Sequence, residues 1–234
     1  MESFRHSLKA LLVPLRLRIR RGPLHGLKWV LTSGSKFIQG TYEPTQTALF
    51  MDCVREGHVV FDVGAHVGYY TALASIRTGS TGRVIAFEPR PLNLRFLRCH
   101  LRLNHLANVT VIESCVGETT GEARFDTRTG TGTGHLSDDG ELPVKLVSLD
   151  GLVQQGTIPA PHVIKMDVEG AELRVLAGAE NILRTARPIL LISTHGPDNY
   201  RGVITCLEAR NYAHELIRDA NACADREVIA RPRA

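Results

Sequence analysis

The chain has 234 residues, of which 43% are hydrophobic and 22% charged, and its formal net charge at pH 7 is +4. This length and composition predict one globular domain with a sizeable core, and they exclude a disordered chain, a collagen-like repeat and a disulfide-dense miniature scaffold. The five cysteines are an odd number without CxxC spacing, so we expect free thiols in a reducing, cytoplasmic compartment. No apolar run approaches the roughly 20 residues of a membrane-spanning helix.

The positive charge is concentrated at the start of the chain. Residues 1–40 hold eight basic residues and one acidic residue, so the other 194 residues carry a net charge of −3. Apolar residues recur near helical spacing in the first 15 residues, which predicts a basic, helical extension over 1–40, partly packed on a main domain formed by 41–234. Contact of this arm with a membrane surface or an acidic partner is an alternative to plain packing. A nucleic-acid-binding surface spread over the domain is disfavoured.

Strands and helices alternate from residue 59 onward. Residues 59–61 form a short apolar run that enters a glycine-containing loop, and residues 69–76 have a helical pattern. A second strand is predicted over 83–87, a helix begins at Pro91, and a third strand covers 109–112. Such alternation is typical of a parallel α/β sheet with crossover helices.

The second half of the chain continues this pattern after a polar, glycine-rich stretch. Residues 117–140 are predicted to form a mobile loop around one short strand. The remaining predicted elements are strands at 145–149, 163–166, 188–193, 212–217 and 227–230, a helix after Gly170 with Leu173, Leu176 and Leu183 on one face, and a helix at 199–210. Since no internal repeat is present, we expect a single main domain.

Three acidic residues lie at the predicted carboxyl ends of strands, namely Asp62, Glu88 and Asp167. In an open α/β sheet, ligands bind beyond these ends. The spacing Asp62-x-Gly64-x-x-x-Gly68 differs from the G-x-G-x-x-G pattern of dinucleotide sites, and its carboxylate would repel a pyrophosphate. The loop favours a cationic ligand without phosphate, and S-adenosylmethionine, with its sulfonium and ammonium groups, meets that description.

Glu88 follows Gly68 by 20 residues, at the end of the next strand. A carboxylate there can accept hydrogen bonds from both ribose hydroxyls, in NAD sites as in S-adenosylmethionine sites, so Asp62 is the residue that discriminates between the two ligands. The alternative is structural: Gly64 and Gly68 would only make a tight turn, and Glu88 would cap the helix that begins at residue 91. The presence of acids at all three strand ends favours ligand binding.

Several blocks of the sequence resemble those of FkbM-family methyltransferases. They are Phe61-Asp-Val-Gly-Ala-His-Val-Gly-Tyr-Tyr-Thr71, Ala86-Phe-Glu-Pro89 and, most specific, Ile164-Lys-Met-Asp-Val-Glu-Gly-Ala-Glu172, in the family's order. The resemblance covers residues 22–196. It implies a class I, Rossmann-like methyltransferase fold, with a mostly parallel seven-stranded sheet and helices on both faces, and methyl transfer from S-adenosylmethionine to hydroxyls of small molecules. His66, where the family usually has Asn, and Ser193, where an acid is common, depart from the pattern.

The resemblance, together with the position of the acids, implies a set of site residues. Cofactor binding is assigned to Glu43, Asp62, Gly64, His66, Gly68, Glu88 and Ser114. Asp167 and His195 are placed at the reacting centre, where either could act as the base that an aliphatic alcohol requires. By resemblance to the family, the segment that contains Glu43 would form a lid over the cofactor. The alternative is that Glu43 only lies at the N-terminus of the helix that follows.

These residues predict a reaction and leave alternatives open. We expect an O-methyltransferase that uses S-adenosylmethionine and acts on a hydroxyl of a secondary metabolite or sugar, without a nucleic-acid partner. Methylation of a nitrogen or a carboxylate is one alternative, and a catalytically silent, cofactor-binding scaffold is another. Asp167, Glu169 and His195 could together hold Mg²⁺, but a metal-free site is the preferred interpretation.

Overall fold

The computed structural model describes residues 15–128, 134–219 and 226–233. Its strands are β1 (Arg16–Arg18), β2 (Lys28–Val30), β3 (Val59–Val63), β4 (Arg83–Phe87), β5 (Val109–Ile112), β6 (Cys115–Val116), β7 (Gly121–Asp126), β8 (His135–Leu136), β9 (Leu142–Val147), β10 (Val163–Asp167), β11 (Ile189–Thr194), β12 (Tyr212–Asp219) and β13 (Arg226–Pro232). Its helices are α1 (Ser35–Gln39), α2 (Pro44–Cys53), α3 (Tyr69–Thr78), α4 (Pro91–Leu103), α5 (Leu149–Gln154), α6 (Glu172–Ala177), α7 (Glu180–Thr185) and α8 (Pro197–Ala209).

Seven strands form one central sheet in the order β12-β13-β11-β10-β3-β4-β5. Neighbouring strands are parallel from β11 to β5, whereas β13 runs antiparallel to both β11 and β12. The prediction of a mostly parallel, seven-stranded sheet is therefore confirmed, and the sheet is mixed at one edge. Because β3, β4 and β10 are parallel, their carboxyl ends meet at the same edge of the sheet.

Apolar side chains cover the central sheet on both faces. Val60 of β3 belongs to one buried cluster with Leu73 of α3, and the next residue, Phe61, belongs to a second cluster with Val203 of α8. Successive strand residues point to opposite faces, so a strand buried on both sides is apolar throughout. This explains the continuous apolar runs seen in the sequence, and it confirms the prediction of helices on both faces.

In the described part of the N-terminal extension, residues 16–30 form a hairpin instead of the predicted helix, and the short helix α1 follows later in the extension. β1 and β2 pair antiparallel, with Leu17 opposite Trp29. Residues 15–20 alternate Leu or Ile with Arg, and this period of two is typical of a strand, whereas the helical spacing was read from residues further toward the N-terminus. The predicted helical pattern of residues 3–14 lies outside the described residues.

His100 of α4 anchors this hairpin to the rest of the molecule. Its ring stacks on Trp29 with centroids 3.7 Å apart, and its Nε2 accepts a hydrogen bond from the Val30 N–H at 3.1 Å. Its Nδ1 donates to the carbonyl oxygen of Val67 at 2.8 Å. Burial lowers the pKa of His100 to about 4, so the neutral ring can accept and donate at once. The sequence indicated no role for this histidine, yet it links the extension to the glycine loop.

The polar stretch predicted as a mobile loop around one short strand contributes two strands, β7 and β8, to a second, four-stranded sheet in the order β6-β9-β7-β8, so it is more ordered than predicted. The predicted strand at 145–149 belongs to this sheet as β9. The sheet buries its own small cluster, made of Cys115, Phe125, Val144 and Leu146. A Cβ on Gly140 would lie 2.5 Å from the backbone of Phe125, so glycine here serves close packing rather than mobility. Residues 129–133 lie outside the described residues.

The single helix predicted after Gly170 is in fact two short helices, α6 and α7, separated at Gly178. A Cβ on Gly178 would lie 1.9 Å from the carbonyl oxygen of Gly117, because the two backbones are in direct contact. Leu176 and Leu183 are buried as predicted, whereas Leu173 is 39% exposed. Among the described helices, none combines the length and the apolar character needed to cross a membrane.

Candidate active site

The carboxyl ends of β3, β4 and β10 open into two adjoining pockets. The larger encloses about 580 Å³, and its lining includes Gly64, His66, Glu88, Ser114 and Asp167. The smaller encloses about 360 Å³, and its lining includes Tyr42, Asp62, Gly64, His66, Lys165 and Asp167. The sheet register accounts for these groupings, since Asp62 pairs with Lys165 of β10, and Asp167 pairs with Ser193 of β11.

Gly64 and Gly68 shape the loop that leads from β3 to α3. Both have positive φ, at +84° and +91°. A Cβ on Gly64 would lie 1.9 Å from the carbonyl oxygen of Asp167, and one on Gly68 would lie 2.4 Å from Leu97. The loop therefore approaches β10 and α4 so closely that both positions require glycine. Gly64 lines both pockets, whereas Gly68 is not among their lining residues and instead begins α3.

Glu88 is a buried carboxylate held by three N–H donors. The backbone N–H of His66 donates to Oε2 at 2.8 Å, while the Arg90 N–H and the Asn93 side chain donate to Oε1 at 2.9 and 3.2 Å. Burial outweighs these donors and raises the pKa of Glu88 to about 7. Each carboxylate oxygen can accept more than one hydrogen bond, so Glu88 can also accept from hydroxyls of a ligand in the larger pocket.

A buried lysine lies between two of the predicted acids. Lys165 is 2% exposed, its Nζ donates to Asp167 Oδ2 at 3.1 Å, and it lies 4.9 Å from the centroid of the Tyr70 ring. Burial alone would lower the pKa of Lys165, but the carboxylates of Asp167 and Asp62 raise it. On Asp62, Oδ2 accepts the Thr71 hydroxyl at 2.5 Å, whereas the buried Oδ1 has no partner among the described residues. Burial also raises the pKa of Asp62.

The segment predicted as a lid places aromatic rings over the smaller pocket. Tyr42 packs against Phe37 and Tyr69, with ring centroids 4.6 and 5.1 Å apart. Glu43 takes the N-cap position of α2 with a φ of +40°, but its side chain makes no capping hydrogen bond. Its carboxylate accepts the Tyr70 hydroxyl at 2.8 Å instead. The structure thus ties Glu43 to the wall of the pocket, although Glu43 is not among the pocket-lining residues.

His195 gathers three carboxylates just beyond β11. Its Nδ1 donates to Glu172 Oε1 at 2.8 Å, and its Nε2 lies 3.4 Å from Glu169 Oε2 and 3.6 Å from Asp167 Oδ1. Burial opposes a charge on the ring, but the bond to Glu172 and the nearby carboxylates outweigh it and raise the pKa of His195 to about 9. Lys165 and His195 likewise overcome burial and lower the pKa of Asp167. At neutral pH, an imidazolium therefore faces an ionised Asp167.

Glu172 determines the orientation of His195. It is fully buried, its Oε1 also accepts the Gly170 N–H at 3.1 Å, and its Oε2 accepts the side-chain amide of Asn199. With Nδ1 engaged in this way, Nε2 of His195 is the nitrogen that faces Asp167. A carboxylate that holds a histidine ring in one orientation is a common arrangement in enzyme active sites.

Asp167, Glu169 and His195 also form a group of the kind that can hold a metal ion, with one ligand atom from each lying within 4.8 Å of the others. However, Mg²⁺ prefers oxygen ligands in an octahedral arrangement, and this group offers two carboxylates and a histidine ring that is already paired with carboxylates. The donor set therefore suits Mg²⁺ poorly, and the chemistry proposed for the site does not depend on a metal.

Lys165 and Glu172 are site residues that the sequence analysis did not predict. Lys165 had a visible signal, since it is the one charged residue before Asp167 in an otherwise apolar strand. A lysine that is fully buried needs carboxylate partners, and the sequence had already predicted Asp62 and Asp167 at the ends of strands. Glu172 had no such signal, because an acid in the first turn of a helix is ordinarily explained by the helix dipole.

The chain has the Rossmann-like fold that is typical of one class of methyltransferases. The fold is similar to the crystal structure of methyltransferase FkbM from Methylobacillus flagellatus, with a TM-score of 0.57, 22% identity, and coverage of 86% of this chain and 53% of that one. This chain thus spans about half the length of that protein. A precorrin-6y C5,15-methyltransferase from Geobacter metallireducens has a TM-score of 0.55 at 16% identity, over 82% of this chain and 90% of that one.

Within this class the chain belongs to the methyltransferase FkbM domain family, which matches residues 62–221. It is similar to the hexuronic acid methyltransferase AglP of Haloferax volcanii, with 29% identity over 174 residues, covering 73% of this chain and 70% of that protein. It is also similar to the 31-O-demethyl-FK506 methyltransferase FkbM of Streptomyces tacrolimicus, at 27% identity over 66% of this chain and 72% of that protein. The chain is therefore an S-adenosylmethionine-dependent methyltransferase.

Proposed function

We propose that this methyltransferase transfers a methyl group to a hydroxyl of a small molecule, a sugar or a secondary metabolite. The observation that carries the proposal is the ionised Asp167, which lies at the junction of the two pockets and faces an imidazolium held in place by Glu172. A hydroxyl is the acceptor that requires a carboxylate at this place, because the alcohol must lose its proton as the new bond forms.

S-adenosylmethionine, when bound, supplies an electrophilic methyl group on a sulfonium. The residues of the two pockets suit it in charge and in hydrogen bonding. Asp62 Oδ1 is a buried acceptor to which none of the described residues donates, which suits an ammonium group, and Glu88 offers its carboxylate to ribose hydroxyls. Gly64 lines both pockets, and Ser114 and His66 line the larger pocket beside it.

Asp167 and His195 then divide the chemistry of the acceptor between them. Asp167 is ionised and can accept the hydroxyl proton, whereas His195 already carries a proton and serves as a donor that orients the acceptor oxygen. Tyr42 lines the smaller pocket, and Glu43 accepts the hydroxyl of Tyr70, another residue of that lining. Gln46, whose amide donates to Ser193 at 3.4 Å, extends this polar wall toward β11.

A second candidate is methylation of a carboxylate, and the relative that acts on a hexuronic acid motivates it, because such a sugar has both kinds of group. Against it stand Asp167 and Glu169, whose negative charges would oppose an anionic acceptor. The two products differ chemically, since mild alkali cleaves a methyl ester and leaves a methyl ether intact.

The test supplies the purified protein with S-adenosylmethionine labelled on its methyl group and a panel of monosaccharides, uronic acids and polyols. We expect labelled product that survives mild alkali, together with heat of binding for S-adenosylhomocysteine in calorimetry. Alkali-labile label would support the carboxylate acceptor instead. If a well-folded protein failed to bind S-adenosylhomocysteine, both the proposed cofactor site and the proposed methyl transfer to a hydroxyl would be contradicted.

The burial of Glu88 predicts a pH dependence of cofactor-product affinity. In the free protein the pKa of Glu88 is raised to about 7, whereas ribose hydroxyls donate best to the ionised form. Binding therefore favours proton release, and affinity should rise with pH through this range, with S-adenosylhomocysteine binding about tenfold more tightly at pH 8 than at pH 6. A Glu88→Gln variant should bind weakly and without this dependence. If the affinity for S-adenosylhomocysteine changed with pH equally in both proteins, a group other than Glu88 would be responsible for the pH dependence.

A further inference from the structure

The tertiary structure brings together two basic segments that are far apart in the chain. Residues 15–40 contain six basic and no acidic residues, and residues 91–112 contain three basic and no acidic residues. The two segments together carry a charge of +9. Because the whole chain has a net charge of +4, the rest of the chain carries a net charge of −5. Positive charge is therefore concentrated in these two segments, which belong to the main domain as well as to the extension.

Direct contacts join the two segments. The Lys28 N–H donates to Asn104 Oδ1 at 2.8 Å, and the Asn104 amide donates back to the Lys28 carbonyl oxygen at 2.9 Å. The stacking of Trp29 on His100 and the hydrogen bond from Val30 to the same ring hold the hairpin against α4. Since Arg18 lies opposite Lys28 in the hairpin, the bases of β1 continue onto the end of α4.

The basic side chains of α4 form one exposed stripe. Arg95, Arg98 and Arg102 follow one another at helical spacing, all three are exposed, and they border a groove floored by Leu101 and Val109. Arg98 pairs with Glu113, whereas Arg95 and Arg102 have no ion pair within the described residues. We call this surface, made of Arg16, Arg18, Lys28, Arg95, Arg98 and Arg102, the basic face.

Exposed leucines accompany the basic face. Leu15, Leu17 and Leu31 are 52%, 38% and 37% exposed, and they account for half of the large exposed hydrophobic residues in the described part of the chain. Leu15 and Leu31 are adjacent, because the Leu31 N–H donates to the Leu15 carbonyl oxygen at 2.9 Å. Leu17 alternates with Arg16 and Arg18 along β1, so leucine projects from one side of the hairpin and arginine from the other. A strand of this kind suits the boundary between phospholipid headgroups and acyl chains, with arginine toward the headgroups and leucine toward the acyl chains.

We propose that the basic face docks this enzyme on an anionic phospholipid surface. Arginine and lysine meet the lipid phosphates, and the leucines of the hairpin enter the outer edge of the acyl region. RNA is the less suitable occupant, because single-stranded RNA is held by bases stacked on exposed aromatic rings, and the hairpin's Trp29 and the neighbouring Phe37 are buried. The proposal is independent of the acceptor, and it places the enzyme where a membrane-attached acceptor would be presented.

The test is sedimentation of the full chain with vesicles of phosphatidylcholine alone or mixed equally with phosphatidylglycerol. We expect binding only to the mixed vesicles, weakening as NaCl is raised. Each basic side chain contributes about fivefold to partitioning, so an Arg95→Glu/Arg102→Glu variant should bind at least about 25-fold more weakly. A Leu17→Ser/Leu31→Ser variant should lose the part of the binding that persists in salt.

The matched control is an Arg184→Glu/Arg201→Glu variant. It changes the net charge equally, on helices α7 and α8 that pack against the opposite face of the sheet, and it should bind like the original protein. S-adenosylhomocysteine binding and the melting temperature verify that each variant is folded. The proposal is overturned if mixed vesicles do not bind the original protein, if the control loses binding equally, or if a structured RNA binds under conditions where vesicles do not.

Discussion

An Asp167→Asn variant is expected to lose between about 10² and 10⁴-fold in kcat on a hydroxyl acceptor, which is the usual contribution of a positioned general base. Asparagine keeps the shape of the side chain and an acceptor oxygen for Lys165, which now donates to Asp167 at 3.1 Å, but it cannot take up the hydroxyl proton. Removing the charge beside a buried lysine also costs stability, so the melting temperature should fall. Methyl transfer under single-turnover conditions separates this chemical effect from binding.

The control for this variant is Glu169→Gln. Glu169 lies 3.4 Å from the same His195 nitrogen, and the ion pairs described for Lys165 do not involve it. We expect its kcat to fall by less than about tenfold, a change of under about 1.4 kcal/mol in the barrier. If Asp167→Asn retained kcat within a few-fold while Glu169→Gln lost it, the proton acceptor would be Glu169. If both retained kcat, the acceptor would not need a base, as expected for a carboxylate.

A Gly64→Ala variant is expected to lose both stability and cofactor binding. The residue has φ of +84°, and a Cβ would lie 1.9 Å from the carbonyl oxygen of Asp167. The added carbon must push the loop away from the end of β10, where the two pockets meet. A cost above about 4 kcal/mol follows from strain of this kind, which corresponds to a fall in melting temperature of roughly 10 °C or more. Thermal unfolding and S-adenosylhomocysteine titration measure the two effects.

Gly156→Ala supplies the comparison for backbone strain alone. Gly156 has φ of +69°, but nothing lies within 4 Å of a Cβ placed on it. Alanine there should cost only the left-handed conformation, about 1 kcal/mol, and it should leave cofactor binding unchanged. Similar melting temperatures for the two variants would show that the close approach of Gly64 to Asp167 does not contribute to the free energy of unfolding.

The acids of the site could be predicted because each lies at the end of a local pattern. Asp62, Glu88 and Asp167 follow apolar strands directly, and parallel strands necessarily present such ends at one edge. The structure places all three around the two pockets. The sequence could not distinguish which of Asp167 and His195 would accept the proton. The proposed division of roles depends on the raised pKa of His195, which results from the carboxylates of Asp167, Glu169 and Glu172 that approach the ring in space.

Two of the wrong predictions, the mobile loop and the single helix after Gly170, failed because of contacts between separate parts of the chain. The stretch at 117–140 contains the glycines of a loop, but Gly134 and Gly140 allow the following turn to pack closely against Phe125 of β7. The helix after Gly170 breaks at Gly178, where the chain touches Gly117, some 60 residues away. Neither contact leaves a trace in the local spacing of apolar residues, which is the signal that sequence patterns carry.

The sequence by itself therefore determined the parallel sheet, the family and the acidic strand ends, since these depend on short periodicities and on residues next to one another. The tertiary structure alone decided that Lys165 separates Asp62 from Asp167, that Glu172 orients His195, and that the positive charge extends from the hairpin onto α4. The physical reason is that burial and electrostatic interaction depend on distance in space. Side chains that set each other's charge, orientation and solvent exposure are brought together only when the strands and helices pack.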